Sequence, residues 1–189
     1  SLSDAEAVFY GTSSSDNAGD AVASAGDTDG DGYIDLLISA TGEDSGGSGA
    51  GAVYLIRGPV SGDLSASDAA ATLHGEDAGD QAGIALSSAG DIDGDGLSDL
   101  LIGAWYNDDS AIDAGAAYLV LGNISGTASL SDIGTPIEGE TSGDYAGGAV
   151  SGAGDRDGDG LDDLVVGAYG EDTVGSQAGA TYLILSTSY

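Results

Sequence analysis

Asp27-Thr28-Asp29-Gly30-Asp31-Gly32-Tyr33-Ile34-Asp35 runs directly into Leu36-Leu37-Ile38, and the same grammar, D-x-D-G-D-G-x-x-D followed by an apolar run, returns twice. The second copy places carboxylates at Asp91, Asp93, Asp95 and Asp99, the third at Asp155, Asp157, Asp159 and Asp163. First carboxylates at 27, 91 and 155 make the unit 64 residues long, twice over. Four carboxylates within nine residues repel one another by roughly a few kcal/mol unless a cation lies among them. The spacing supplies that cation with ligands. Side chains at loop positions 1, 3, 5 and 9 converge, and the peptide oxygen at position 7 (Tyr33, Leu97, Leu161) completes an all-oxygen shell. A shell of many hard oxygens suits Ca²⁺ better than Mg²⁺, which prefers six short bonds and keeps its waters, so three Ca²⁺ are expected per chain. Glycines at positions 4 and 6 permit the positive φ of a tight wrap. An EF-hand needs a bidentate Glu at position 12 and flanking helices. Here position 12 is Ile38, Ile102 or Val166, inside short apolar runs bounded by glycine, which read as buried strands. The loop therefore joins two strands.

Composition narrows the partners. The 189 residues include 35 Gly and 33 acidic side chains against only Arg57 and Arg156, for a formal net charge of −31. Three divalent ions offset six of those charges, and the rest demand solvated surface. Such a surface repels DNA, RNA and anionic membranes, and it suits salty surroundings that screen self-repulsion. No run of about 20 apolar residues spans a membrane, and no signal peptide is visible. Cysteine is absent, so disulfides say nothing about compartment. Extracellular calcium modules typically bind at about 10⁻⁴–10⁻³ M, which points to the cell exterior. Ser1 in place of an initiator Met suggests an excised or processed chain.

The repeats extend well beyond the loops. Ser1-Leu2-Ser3-Asp4 returns as Ser65-Ala66-Ser67-Asp68 and Ser129-Leu130-Ser131-Asp132, and Gly51-Ala52-Val53-Tyr54-Leu55-Ile56 returns at 115–120 and 179–184. Each unit holds four strand-like segments, in the second unit Ala71–Gly75, Gly83–Ala89, Asp99–Ala104 and Gly115–Leu121, with no helical period anywhere. Four short strands per repeat is the signature of a β-propeller blade. The segment before each loop (19–25, 83–89, 147–153) is nearly all Gly, Ala and Ser, as an innermost strand near a crowded axis requires, while the following Leu/Ile/Val strand is expected to be covered on both faces.

Ala-Gly, calcium loop, apolar strand, Gly-Ala and then Ala-Gly-Ala-x-Tyr-Leu resembles the FG-GAP repeats of the integrin alpha-subunit propeller and its bacterial relatives, over essentially the whole chain. The FG element appears as Ala18-Gly19, Ala82-Gly83 and Ala146-Gly147; the GAP element as Ser39-Ala40-Thr41, Gly103-Ala104-Trp105 and Gly167-Ala168-Tyr169, without its Pro. The resemblance implies an all-β propeller whose calcium loops join the first and second strands of each blade, on the side away from the ligand-binding face. Residues 13–76 are then blade 1, 77–140 blade 2, and 141–189 blade 3 without its outer strand; residues 1–12 supply an outer strand to a blade of another copy. Three blades are too few for a ring, since propellers have roughly four to eight. The expected closure is a homodimer of six blades with strand exchange at both seams, the other possibility being three blades of a longer array.

No catalytic constellation stands out. Cys and Lys are absent, the lone His74 falls in an expected outermost strand, and the well-placed carboxylates are committed to calcium, so the expected role is non-enzymatic. The loops opposite the metals carry Trp105, Tyr106, Tyr145 and Tyr169, candidates to stack on sugars or anchor a protein partner, or else to fill the place of the missing Pro between blades. Asp44, Asp108 and Asp172 recur there in phase as expected turn formers. The resulting expectation is an extracellular, integrin-like module for adhesion or protein interaction with structural calcium; the alternative is a calcium-dependent lectin.

Overall fold

A computed structural model describes residues 1–186. The first unit contributes β1 (Ala7–Tyr10), β2 (Ala18–Gly26), β3 (Asp35–Ala40), β4 (Ala52–Ile56), β5 (Gly62–Ser65) and β6 (Ala71–His74). The second contributes β7 (Ala85–Gly90), β8 (Asp99–Ala104), β9 (Ala116–Val120), β10 (Gly126–Ser129) and β11 (Thr135–Glu138). The third contributes β12 (Ala146–Gly154), β13 (Asp163–Ala168) and β14 (Ala180–Ile184). Among the described residues the chain is all-β apart from single helical turns at Leu2–Asp4, Ala66–Asp68 and Leu130–Ile133.

Three sheets repeat one antiparallel order: β2-β3-β4-β6, β7-β8-β9-β11 and β12-β13-β14. Residues 13–76 and 77–140 each hold five strands where four are expected, because β5 and β10 form as well. Each pairs in parallel with an outer strand, β5 with β1 and β10 with β6, so β10 extends the first sheet from within the second unit. The expectation of no helix is also corrected. Each Ser-x-x-Asp segment closes one capped turn, where the Asp68 carboxylate accepts from the Ser65 amide, and one turn is too short to show a helical period.

The sheets pack face to face in chain order, β2 against β7 and β7 against β12. Between the first and second lies a core of Leu37, Val53, Leu55 and Leu73 against Leu100, Ile102, Tyr118 and Val120; between the second and third, Leu101 and Leu119 meet Leu164 and Val166. Alternation along β8 sends Leu100 and Ile102 one way and Leu101 the other, so all six of its residues are buried. Full burial of each such side chain contributes about 1.5–3 kcal/mol. β3 and β13, with a packed sheet on one side only, keep exposed or half-buried positions. Small residues on the inner strands permit close approach: a Cβ at Gly103 would lie 1.9 Å from the Gly147 carbonyl oxygen. The array is open, not a closed ring.

Candidate metal centre and binding rim

A bulge breaks the first hairpin of each sheet just before the loop, between Ser24 and Gly26, Ser88 and Gly90, and Gly152 and Gly154. Gly26, Gly90 and Gly154 take φ of +81°, +85° and +68°, turning the chain so that the first aspartate faces into the loop. Inside, the loop amides hold the carboxylates in place. Asp27 accepts from Gly30 and Gly32 (2.7 and 2.9 Å), Asp29 from Asp31 (3.2 Å) and Asp31 from Tyr33 (2.8 Å). The same four bonds form in the second and third loops. Burial pushes the Asp27 carboxyl up, yet the amides of Gly32, Gly30, Asp29 and Asp31 together hold it below its ordinary value.

Position 9 does two things at once. Asp99, fully buried, accepts from the Ile92 amide at 2.8 Å and from Gly122 at 2.7 Å, clamping the loop to the chain leaving β9. Asp163 accepts likewise from Arg156 and Ser186, and Asp35 from Gly58 and from both the amide and the hydroxyl of Thr28. Burial foremost, with Asp93 and Asp95 adding to it against the amides of Ile92 and Gly122, pushes Asp99 up to about 6, so the carboxylate cluster carries an electrostatic cost that a cation offsets.

Carboxylate oxygens of Asp27, Asp29 and Asp31, of Asp91, Asp93 and Asp99, and of Asp155, Asp157 and Asp163 all lie within 4.8 Å of one another in their sets. Two ligands at about 2.4 Å from one Ca²⁺ are at most about 5 Å apart, so the donor sets fit that ion. The remaining aspartate of each loop, Asp35, Asp95 or Asp159, falls outside its set. Sequence reasoning missed Arg57, whose Nε lies 3.0 Å from Asp29 Oδ2 and whose Nη2 donates to the Ile124 carbonyl. The first loop thus carries a competing internal cation.

At the other end of the same strands, the loops following β8 and β13 and preceding β12 gather the four aromatics. Trp105 lies 4.9 Å from Tyr106, 6.4 Å from Tyr145 and 6.0 Å from Tyr169, and Tyr145 stacks on Tyr169 at 5.0 Å and 7°. The Trp105 indole donates to the Gln81 side chain at 3.1 Å. Tyr169 stays half exposed, while Trp105, Tyr106 and Tyr145 are partly buried. Two of the three expected turn formers behave as such, Asp44 and Asp108 accepting from the amides of Gly49 and Asp113. His74 sits on β6 with Nδ1 3.2 Å from Glu43. Also missed were Asp16, Asp80 and Asp144, buried at the loops preceding the inner strands; their recurrence in phase was the available signal. Asp80 accepts from the Asp77 amide and from Asn107, and burial pushes its carboxyl up to about 6.

A family model described as the FG-GAP repeat matches residues 18–56 and 146–184, each span covering inner strand, acidic loop and the two strands that follow. The chain carries FG-GAP repeats. Its middle unit, β7 to β9, has the same loop and strand order, so the chain presents three acidic hairpins of one kind in a propeller-type all-β fold. No curated protein matches it.

Proposed function

We propose that this FG-GAP chain is an extracellular, calcium-stabilised β-propeller module that engages protein partners in adhesion or assembly, without catalysis. The observation that carries this reading is the segregation of two chemistries to opposite ends of the same strands. β8 begins at Asp99 in an acidic loop and ends at Ala104 beside Trp105, about 17 Å away for six residues. Aspartates 27, 29, 31, 35, their equivalents at 91–99 and 155–163, and the peptide oxygens of Tyr33, Leu97 and Leu161 would hold one ion per loop. Bound Ca²⁺ supplies charge neutralisation; the residues supply a preformed loop that ties β2 to β3, β7 to β8 and β12 to β13. Affinities of about 10⁻⁴–10⁻³ M fill such loops outside the cell, in keeping with the integrin-like relatives of the repeat. Among the described residues no helix is long and apolar enough to cross a membrane.

At calcium tenfold above Kd each site adds about 1.4 kcal/mol, so three sites raise the melting temperature by about 10 °C. A melt that a chelator leaves unmoved removes the calcium reading. The aromatic platform supports a second reading, a lectin, since exposed stacked rings receive sugar faces. Binding to an array of immobilised glycans that disappears with Trp105→Ala would support it; a silent array leaves protein adhesion.

A further inference from the structure

Each sheet interface inside this chain is built from one set of parts, and an unused copy of every part remains at the two open ends. Leu130 is fully buried among Leu100, Ile102, Tyr118 and Val120, immediately before outer strand β11 docks on β9. Its equivalent in the first unit, Leu2, is 94% exposed. The third sheet holds the matching receptacle, a cleft of about 230 Å³ whose lining includes Val166, Tyr182 and Ile184, the equivalents of Ile102, Tyr118 and Val120. Tyr118 is 1% exposed beneath its outer strand, whereas Tyr182 is 40% exposed. Among the described residues β14 has no strand beyond it, and β1 pairs only with β5.

The backbone bonds repeat in the same way. At the acidic end the Asp27 carbonyl accepts from Ser98 and the Asp91 carbonyl from Asp162; at the aromatic end the Ala50 and Ala114 carbonyls accept from Ala82 and Ala146. The next members of these series are the carbonyls of Asp155 and Ala178 on the third sheet and the amides of Ile34 and Ala18 on the first. The open faces match too: Val22 and Leu36 stand exposed on the first sheet where Val150 and Leu164 of the third pack on the second.

We infer that a second copy of this chain occupies these ends, each copy laying its Leu2 turn and β1 along the other's β14 and stacking its first sheet on the other's third. The inference rests on the propeller-type fold and not on calcium or ligand, so its failure leaves those readings standing. The contact is head to tail and closes after two copies into a ring of six sheets, within the roughly four to eight that propellers use. Register follows from the β4–β6 pairing, in which Tyr54 opposes Thr72 and Val53 opposes Leu73. Val8 therefore opposes Tyr182 of the second copy, and Phe9 opposes Thr181.

Light scattering on the full 189-residue chain should return about twice 18.2 kDa. The sequence has no cysteine, so Val8→Cys with Tyr182→Cys gives a clean cross-link, expected to convert most of the protein to a covalent dimer under oxidation. The off-register pair Val8→Cys with Ala180→Cys should link at least tenfold less. Leu2→Asp should weaken dimerisation at least tenfold while leaving far-UV circular dichroism unchanged. A monomeric mass for the unaltered chain, open-ended oligomers, or a dimer that cross-links equally in either register would each overturn the proposal.

Discussion

Arg57 is the one arginine that pairs with a loop aspartate among the described residues; Arg156, at position 2 of the third loop, is exposed and reaches none of its carboxylates. The Arg57 guanidinium beside Asp29 partly neutralises the first loop, so that loop should bind Ca²⁺ more weakly than the other two. Titration calorimetry should resolve two stronger sites and one weaker, and Arg57→Gln should bring the weak site within about twofold of the others. Asp80 gives a pH signature. Its carboxyl stands at about 6 in the folded chain against 3.8 free, so stability declines as pH climbs from about 4 to 6 and stays reduced above that. Asp80→Asn keeps the acceptor for the Asp77 amide, and it should flatten that slope and raise the melting temperature at pH 8 by about 2–4 °C. The loop aspartates were legible because their spacing is itself the chemistry. The second duty of Asp35, Asp99 and Asp163, gripping Gly58, Gly122 and Ser186, was not. It exists only once an antiparallel hairpin brings the far end of the next strand back beside the loop.

Glycine-bounded apolar runs made the hairpin strands readable to within about two residues, since those runs have no alternative but a sheet interior. β5 and β10 escaped for the opposite reason. Gly62-Asp63-Leu64-Ser65 has little intrinsic strand preference, and it becomes a strand through parallel pairing with β1. The aromatic platform was legible as a set of residues but not as a contiguous cluster, because its members come from three loops separated by up to 64 positions. Two substitutions test the packing between elements. Gly103→Ala directs a methyl at the Gly147 carbonyl with no flexible side chain to yield, and should cost about 3 kcal/mol in a denaturant melt. Leu130→Ala empties the plug between α-turn and β9, and should cost about 2–5 kcal/mol.

A net charge of −31 on 189 residues sets the behaviour of the whole molecule. Self-repulsion weakens when the Debye length shrinks from about 30 Å at 0.01 M salt to about 3 Å at 1 M. Melting temperature should therefore rise with sodium chloride even in chelator, and association of two such chains should tighten over the same range. A melt independent of salt would mean that the acidic surface is already neutralised by bound cations. One connection described above has a mechanical meaning. β6 and β10 run in parallel, and the chain leaves them at opposite ends of their ladder. Tension applied to the two ends of the polypeptide therefore loads all of that ladder's bonds together in shear, where an antiparallel hairpin would peel open one bond at a time. The clasp from the second unit to the first is thus strongest along the direction in which a tethered chain is pulled.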